Sequence, residues 1–350
     1  MYIRRILGSV LCSAIAALSP AYASPGDTHF IDRDALSVYF YTSTLYAYDG
    51  SYPALAAQMR DAENIGAVFL SVSMLHLAET DYARIVRDFI EAMHGENIYV
   101  HAMYLQDATI LDNIALARTR TQEIIAFHNA SPAQSKFDGL TLDIEPESTD
   151  EWDTESNRFG LVRELLSVME AIHEELTDSA LDLPLSSALY AHYMKNGALR
   201  SWLTVNGESV GYPSDFLRFM DFLILMSYDD DPADIVDYLQ DELAYAGEDD
   251  SILAGIKTKN SGDDDTTSWQ EGWEALCSAV GEVRCSLDST SGPLLGFAVF
   301  EYESYRAMKG LAPVDLRINF QAHVATRPAG YLEDLALPYG VMGGYRFGWR

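Results

Sequence analysis

The chain has 350 residues, a formal net charge of −30 and 48% hydrophobic residues. A surface of this sign repels nucleic acid phosphates and anionic lipid headgroups, which argues against both as partners. The apolar fraction is sufficient for a large core, and the length fits a single (β/α)8 barrel of about 250 residues or more.

The first 23 residues have the order of features that is typical of a secretory signal peptide. Arg4 and Arg5 precede an apolar run over residues 6–18, and the small residues of Ala21-Tyr22-Ala23 precede Ser24. The apolar run is shorter than the roughly 20 residues that span a membrane, and no later segment reaches that length uninterrupted. We expect cleavage after Ala23 and a secreted or periplasmic mature protein without an integral membrane segment. An uncleaved anchor helix is the alternative.

Short apolar runs alternate with segments of helical periodicity, which is the pattern of repeated βα units. Mostly apolar strands covered by helices are typical of a parallel sheet buried on both faces, and eight of them can close into a barrel. We predict a single (β/α)8 TIM barrel domain over residues 24–310, with a C-terminal extension over residues 311–350 that packs on the barrel. The predicted strands are Ser37–Thr42, Ala67–Ser71, Ile98–Tyr104, Gly139–Ile144, Leu185–Leu189, Phe222–Ser227, Ile252–Ile256 and Leu295–Phe300, and the predicted helices are Pro53–Glu63, Tyr82–Met93, Asn113–His128, Asn157–Leu176, Ile235–Ala246 and Trp269–Val280.

The fourth predicted strand carries ionisable groups on one face only, because apolar and polar residues alternate along it. Asp143 and Glu145 lie at its carboxyl end, where barrel enzymes place their reactive groups. Two carboxylates this close cannot both ionise easily, so one retains a proton near neutral pH. We predict an active site here; a salt-bridged pair that caps the strand is the alternative. The apolar face carries Leu140, Leu142 and Ile144, and the polar face carries Thr141, Asp143 and Glu145.

Three segments resemble motifs of family 18 glycoside hydrolases, the group of chitinases and endo-β-N-acetylglucosaminidases. Residues 138–145 are similar to the DGxDxDxE motif of strand four, and residues 226–229, Met-Ser-Tyr-Asp, are similar to MxYD of strand six. Residues 296–301 match the spacing of the strand-eight GxxxWE segment, with Phe300 at the tryptophan position. The three motifs occur in the family's order, each on the corresponding predicted strand. The chain therefore resembles a divergent member of this family.

The resemblance implies a glycosidase that cleaves a β-linked glycan containing N-acetylhexosamine, with retention of configuration and with no cofactor or metal. Glu145 would be the general acid that protonates the glycosidic oxygen. Asp143 would hold and polarise the substrate's acetamido group, and Tyr228 would donate a hydrogen bond to its carbonyl as that oxygen attacks the anomeric carbon. Further substrate contacts are expected from Tyr41, Thr141, Tyr190, Met226, Asp229 and Phe300.

The chain departs from the family's pattern at three places. Thr141 stands where the family usually has a second aspartate, and the Ser-x-Gly-Gly of strand three is replaced by residues 101–107. Phe300 keeps an aromatic floor for a sugar ring but lacks the indole N–H. Two other functions therefore stay open: a carbohydrate-binding or scaffold barrel without turnover, and a metal-dependent barrel hydrolase. The oxygen ligands of the latter would be Asp143, Glu145 and Asp229.

Several other patterns favour structural roles. The eight histidines have no zinc spacing, and the acidic runs at residues 229–231 and 263–265 lack the glycine of an EF-hand loop, so we predict no metal site. Residues 207–211 match GxSxG, but Pro213 favours a surface loop over a nucleophile elbow. Tyrosines could line a sugar cleft, and the residues considered are Tyr39, Tyr41, Tyr104, Tyr190 and Tyr302, of which Tyr41 and Tyr190 lie near strand ends.

Two cysteines, Cys277 and Cys285, follow the predicted leader. In an oxidising compartment we expect them to pair as a local disulfide, since exported proteins commonly contain such bonds. The predicted helix around them sets their geometry and could prevent pairing. Neither cysteine has the features of a catalytic nucleophile.

Overall fold

The computed structural model describes residues 31, 35–191, 193, 202–246, 252–259, 266–290 and 294–310. The predicted leader, the predicted C-terminal extension and the acidic run at residues 263–265 lie outside the described residues. None of the helices that are described is long and apolar enough to cross a membrane.

Eight parallel strands form a closed barrel, as the alternation of strands and helices predicts. They are β1 (Leu36–Phe40), β2 (Ile65–Ser71), β3 (Tyr99–Leu105), β4 (Gly139–Leu142), β5 (Leu185–Tyr190), β6 (Phe222–Met226), β7 (Ile252–Lys257) and β8 (Gly296–Phe300). Each strand pairs with the next in chain order, and β1 pairs with β8 to close the ring. The predicted bounds agree with these within two residues at every end.

Helices follow the strands along the described chain. They are α1 (Thr42–Ala47), α2 (Tyr52–Asp61), α3 (Thr80–Gly95), α4 (Ile114–Ala130), α5 (Arg158–Asp178), α6 (Pro213–Phe216), α7 (Pro232–Ala246), α8 (Trp273–Thr290) and α9 (Tyr302–Met308). The six longer helices correspond to the six predicted ones. Helices α1, α6 and α9 were not predicted from the sequence, because an apolar repeat is recognisable only over a window of about 11 residues or more.

The strands bury both faces. Val38, Val68 and Val100 lie side by side in register on β1, β2 and β3, and they pack with the helices in the larger core. The alternate residues, such as Tyr39 and Phe69, form a second core inside the barrel. The strand alternation therefore separates a helix-facing layer from an interior layer, and the polar face of β4 belongs to the interior.

The start of β4 requires a glycine because a histidine lies against it. His101 packs edge-on between Phe69 and Phe222 in the barrel interior, with ring centroids 5.5 and 5.7 Å away. A Cβ atom at Gly139 would overlap the imidazole ring of His101. Asp138, which precedes this glycine, accepts a 2.7 Å hydrogen bond from the Val100 backbone N–H and so braces β3.

The predicted disulfide between Cys277 and Cys285 is wrong. Both residues lie on α8, and no bond joins them. Eight residues of α-helix separate two Cα atoms by about 12 Å, at about 1.5 Å per residue. A disulfide requires Cα atoms within about 7 Å, so the helix prevents this pairing.

The last described helix anchors to the first part of the barrel. The Tyr305 hydroxyl on α9 donates to the backbone oxygen of Glu63 (3.2 Å), and Lys309 Nζ donates to that of Ala62 (2.9 Å). Arg306 lies with its Nε 4.0 Å from the Glu63 carboxylate. These contacts hold α9 against the connection between α2 and β2, which supports the pairing of β1 with β8.

Candidate active site

The backbone holds Asp143 and Glu145 directly beyond the end of β4. The backbone N–H of Asp143 donates to Leu105 O (2.8 Å), which extends the pairing with β3 past the last residue of β4. Glu145 is extended and is followed at once by a 3₁₀ turn over Pro146–Ser148. The Ser148 hydroxyl donates back to Glu145 O at 2.7 Å. Both carboxylates are therefore positioned by strand and turn geometry, which favours preorganisation.

Burial and mutual repulsion favour the protonated forms of these carboxyl groups. Burial raises the pKa of Asp143 to about 6. Burial, followed by the negative charges of Asp143 and Glu147, raises the pKa of Glu145 well above its ordinary value. A carboxyl group that keeps its proton near neutral pH is what a general acid requires.

Tyr228, two residues beyond β6, faces the same carboxylates. Its pKa is raised by burial and then by the charges of Asp143 and Glu145. The phenol therefore stays protonated and can donate a hydrogen bond. The structure thus brings Asp143, Glu145 and Tyr228 together at the barrel mouth.

Aromatic rings surround Phe300 at the end of β8. The ring centroids of Tyr39, Tyr41 and Tyr228 lie 5.7, 6.0 and 5.8 Å from that of Phe300. The peptide bond between Phe300 and Glu301 is cis. Within the described chain, the buried hydroxyls of Tyr39 and Tyr41 make no hydrogen bond. Because an unpaired buried hydroxyl costs free energy, each of these two phenols would be stabilised by a polar partner beside the ring of Phe300.

The other predicted contact residues lie at different depths. Thr141 is completely buried inside the barrel, and its hydroxyl lies 2.9 Å from that of Ser186. Met226 is half-buried at the end of β6, and Tyr190 is half-buried at the end of β5. The substrate contacts of these side chains stay predictions.

Asp229 braces a loop. Its Oδ1 accepts from the backbone N–H of Asp231 (3.0 Å), and its Oδ2 accepts from the Tyr238 hydroxyl on α7 (2.9 Å). Among the described residues, no group of three or more His, Cys, Asp or Glu side chains is arranged to hold a metal ion. The ligand set Asp143, Glu145 and Asp229 of the metal-dependent alternative therefore does not come together.

Two of the tyrosines considered for the cleft lie outside the barrel. Tyr104 faces α4, and its hydroxyl lies 2.9 Å from that of Thr121. Its position follows from parity, because the alternate β3 residues His101 and Met103 face the interior. Tyr302 lies on α9 and packs on Phe40, with ring centroids 5.3 Å apart. Of the two roles considered for these tyrosines, a cleft lining and ordinary packing, Tyr104 and Tyr302 have the packing role.

The GxSxG segment is a surface feature. Ser209 lies in a two-stranded antiparallel hairpin in which Thr204–Val205 pairs with Glu208–Ser209. Its hydroxyl lies 2.8 Å from that of Thr204 at an exposed position. A nucleophile elbow requires a strand followed by a tight turn into a helix, so the predicted loop is confirmed.

Sequence reasoning missed Glu147 and Tyr193. The Tyr193 hydroxyl, just beyond β5, donates a 3.0 Å hydrogen bond to Glu147 Oε2. The pKa of Glu147 is raised to about 7, because burial and, to a smaller extent, the charge of Asp143 outweigh the hydrogen bonds to the carboxylate. Pro146 was the available signal, since a proline after a strand starts a turn that can bring the residue after it back toward the site.

Two lysines at the end of β7 were also missed. Lys257 Nζ lies 5.9 Å from the ring centroid of Tyr228. Lys259 Nζ lies 3.4 Å from Glu301 Oε2 and 5.6 Å from the ring centroid of Phe300. Lys257 and Lys259 are separated from the interior residue Leu253 by even numbers of residues, so they share its face of the strand. This parity was the sequence signal that would have placed both at the mouth.

Comparison with known proteins identifies the fold. No protein-family model and no curated protein sequence matches the chain. A GH18 chitinase from Pseudoalteromonas aurantia is 12% identical with a TM-score of 0.52, over 79% of this chain and 98% of that chain. The exo-beta-1,4-mannosidase Op5Man5 from Opitutaceae bacterium strain TAV5 is 9% identical with a TM-score of 0.54, over 87% and 61%. A fungal beta-1,4-galactanase is 12% identical with a TM-score of 0.51, over 81% and 94%.

At these identities the likeness concerns the fold alone. It agrees with the (β/α)8 barrel built by the eight strands of this chain. The chitinase, the mannosidase and the galactanase share that barrel with this chain.

Proposed function

We propose that the protein is an exported glycoside hydrolase that cleaves β-glycosidic bonds in a glycan containing N-acetylhexosamine. The reaction is retaining and substrate-assisted, with Glu145 as the general acid and with Asp143 and Tyr228 acting on the acetamido group. The observation that carries the proposal is that Asp143 and Glu145 beyond β4 and Tyr228 beyond β6 lie at the same barrel mouth, with both carboxylate charges acting on the Tyr228 phenol and the charge of Asp143 acting on Glu145. The leader-like residues 1–23 support export.

The first step uses the proton on Glu145. Glu145 transfers it to the glycosidic oxygen while the acetamido oxygen of the substrate attacks the anomeric carbon from the opposite side. The bond to the leaving sugar breaks, and the acetamido nitrogen gains positive charge. The carboxylate of Asp143, whose pKa of about 6 leaves it largely ionised at pH 7, stabilises that charge. The Tyr228 hydroxyl orients the acetamido oxygen.

In the second step, Glu145 acts as a base where it acted as an acid in the first. Glu145, now a carboxylate, accepts a proton from water as the water oxygen attacks the anomeric carbon and the acetamido oxygen leaves. Two inversions at one carbon give net retention. The Phe300 ring, with Tyr39 and Tyr41 beside it, supplies an apolar surface on which a pyranose ring can stack.

Glu145→Gln tests the acid role, since it keeps the shape of the side chain and removes its proton transfer. With N-acetylglucosamine oligosaccharides as the substrate, we expect kcat to fall by about 10²- to 10⁴-fold while binding is retained. Glu151→Gln, an exposed residue of the following 3₁₀ turn, is the matched control and should leave kcat unchanged.

Three results would contradict the proposal. Hydrolysis by Glu145→Gln at close to the wild-type rate would remove Glu145 from the acid role. If NMR shows that the α-anomer is the first product released, retention of configuration is excluded. A wild-type protein that binds these oligosaccharides without hydrolysing them would favour the carbohydrate-binding alternative.

A further inference from the structure

We infer that Glu147, which the Tyr193 hydroxyl holds in the turn directly after Glu145, is a positioning residue that acts through the general acid Glu145. The inference rests on the proposed function for its catalytic meaning, and it assigns to Glu147 the electrostatic role that Thr141 cannot fill. Thr141 is neutral and its hydroxyl lies 2.9 Å from that of Ser186, so it places no charge behind Asp143.

The turn after β4 keeps the backbone of Glu147 close to that of the acid. Glu147 lies inside the 3₁₀ turn Pro146–Ser148, two residues after Glu145. The 3.0 Å hydrogen bond from Tyr193 holds its carboxylate. Because a 3₁₀ turn is tight and Pro146 fixes its backbone angle, the two glutamates cannot move apart without unfolding the turn.

Tyr193 is itself held by packing. Only 2% of its surface is exposed. Its ring is stacked on Phe216 with centroids 6.0 Å apart, and it packs against Trp152 at 6.0 Å and Tyr190 at 5.7 Å. A phenol enclosed on three sides cannot swing away, so the hydrogen bond to Glu147 is a fixed part of the site.

The charged and titratable groups that face Glu147 come from three elements. Asp143 and Glu145 come from the segment after β4, and Tyr190 and Tyr193 come from the end of β5. Arg158 at the start of α5 lowers the pKa of Tyr190. Its Nε donates to the backbone oxygen of Trp152 at 2.8 Å, and its guanidinium lies 4.2 Å from the centroid of the Trp202 ring.

The signs of these interactions agree. The charge of Glu147 is among the causes that raise the pKa of Glu145. The pKa of Glu147, at about 7, leaves this group partly ionised near neutral pH, where it opposes the loss of the proton from Glu145. Tyr193 stabilises the ionised form of Glu147 and so strengthens the effect.

Glu147→Gln is the test, and the side-chain carboxyl ¹³C NMR titration of Glu145 is the primary readout. The Glu145 signal is assigned by its loss in Glu145→Gln. We expect the titration midpoint of Glu145 to fall by about one pH unit, which is about tenfold in proton affinity. With N-acetylglucosamine oligosaccharides, the alkaline limb of the kcat/KM profile should move to lower pH by the same amount, because activity requires the protonated acid.

Two further variants complete the experiment. Tyr193→Phe should move the Glu145 midpoint in the same direction by a smaller amount, and it carries the test if Glu147→Gln does not fold. Glu151→Gln removes the same charge at an exposed position and should move nothing. A Glu145 midpoint that is unchanged in a folded Glu147→Gln variant overturns the inference.

The titration also separates this inference from the proposed function. A midpoint that shifts in a protein without hydrolytic activity supports the coupling of the two glutamates and overturns the glycosidase proposal. Hydrolysis with an unshifted midpoint supports the glycosidase proposal and overturns the role of Glu147.

Discussion

The hydroxyl oxygens of Thr141 and Ser186 lie 2.9 Å apart inside the barrel, on β4 and β5 residues that are in register. Thr141 is the interior residue that immediately precedes Asp143. A neutral pair of hydroxyls therefore occupies the place at which the family 18 motif has a carboxylate. The raised pKa of Asp143 follows from burial, without a charge behind it.

Thr141→Val keeps the shape of the side chain and removes its hydroxyl. The Ser186 hydroxyl would retain a 3.3 Å hydrogen bond to Leu140 O and lose its better partner. We expect the free energy of unfolding to fall by about 1 kcal/mol, measured by urea denaturation. Thr119→Val, at an exposed position of α4, is the control. Equal effects of the two substitutions would contradict this account.

Tyr228→Phe removes the phenol hydroxyl that faces Asp143 and Glu145. Because this hydroxyl orients the attacking acetamido oxygen, its loss should lower kcat by about 10²-fold, the effect of a misplaced reacting group. We expect that fall on N-acetylglucosamine oligosaccharides, with KM changed by much less. Tyr104→Phe removes a buried hydroxyl on the helix-facing side and should leave kcat unchanged. A Tyr228→Phe enzyme as active as the wild type would rule out the assigned role.

The stability of the protein should fall as the pH rises from about 4.5 to 8. Burial raises the pKa of Asp143 to about 6 and that of Glu147 to about 7, whereas unfolded carboxyl groups titrate near pH 4. The native state therefore binds more protons in this window, and the free energy of unfolding decreases with pH. Glu147→Gln should reduce the slope, and Glu151→Gln should preserve it. Urea denaturation at several pH values measures both, and a positive slope would contradict the prediction.

Gly139→Ala should destabilise the barrel, because the added methyl group overlaps the His101 ring. In other protein cores, overpacking of this kind lowers the free energy of unfolding by about 1–3 kcal/mol. Gly160→Ala on α5 meets open space and should stabilise by about 0.5–1 kcal/mol. Melting temperatures of the two variants should thus move in opposite directions. A Gly139→Ala protein that melts at the wild-type temperature would show that His101 can shift.

The barrel could be predicted from the sequence because every strand is a short apolar run, buried on both faces and separated from the next by a polar or helical segment. β2, for example, is buried at all seven positions. Parity along β4 also predicted that Asp143 faces the interior. The same parity rule, applied to β3, would have excluded Tyr104, because His101 and Met103 occupy the inward face and Tyr104 lies on the opposite face.

The rest of the site could not be predicted because it depends on where the backbone leaves the strand. Alternation ends at Pro146, so strand parity does not extend to Glu147, and Pro146 signals only that a turn begins there. Its partner Tyr193 is 46 residues away in the chain. Such a contact follows from the parallel pairing of β4 with β5 and has no local sequence pattern.

The pairing of β1 with β8 has a consequence for biosynthesis. The first strand lacks one of its two neighbours until the last has left the ribosome, so the nascent chain carries an unpaired strand edge for nearly the whole of translation. A chain cut before residue 296 would keep exposed edges on both β1 and β7, each able to pair with other chains. We expect such truncated chains to accumulate as aggregates and not as soluble fragments.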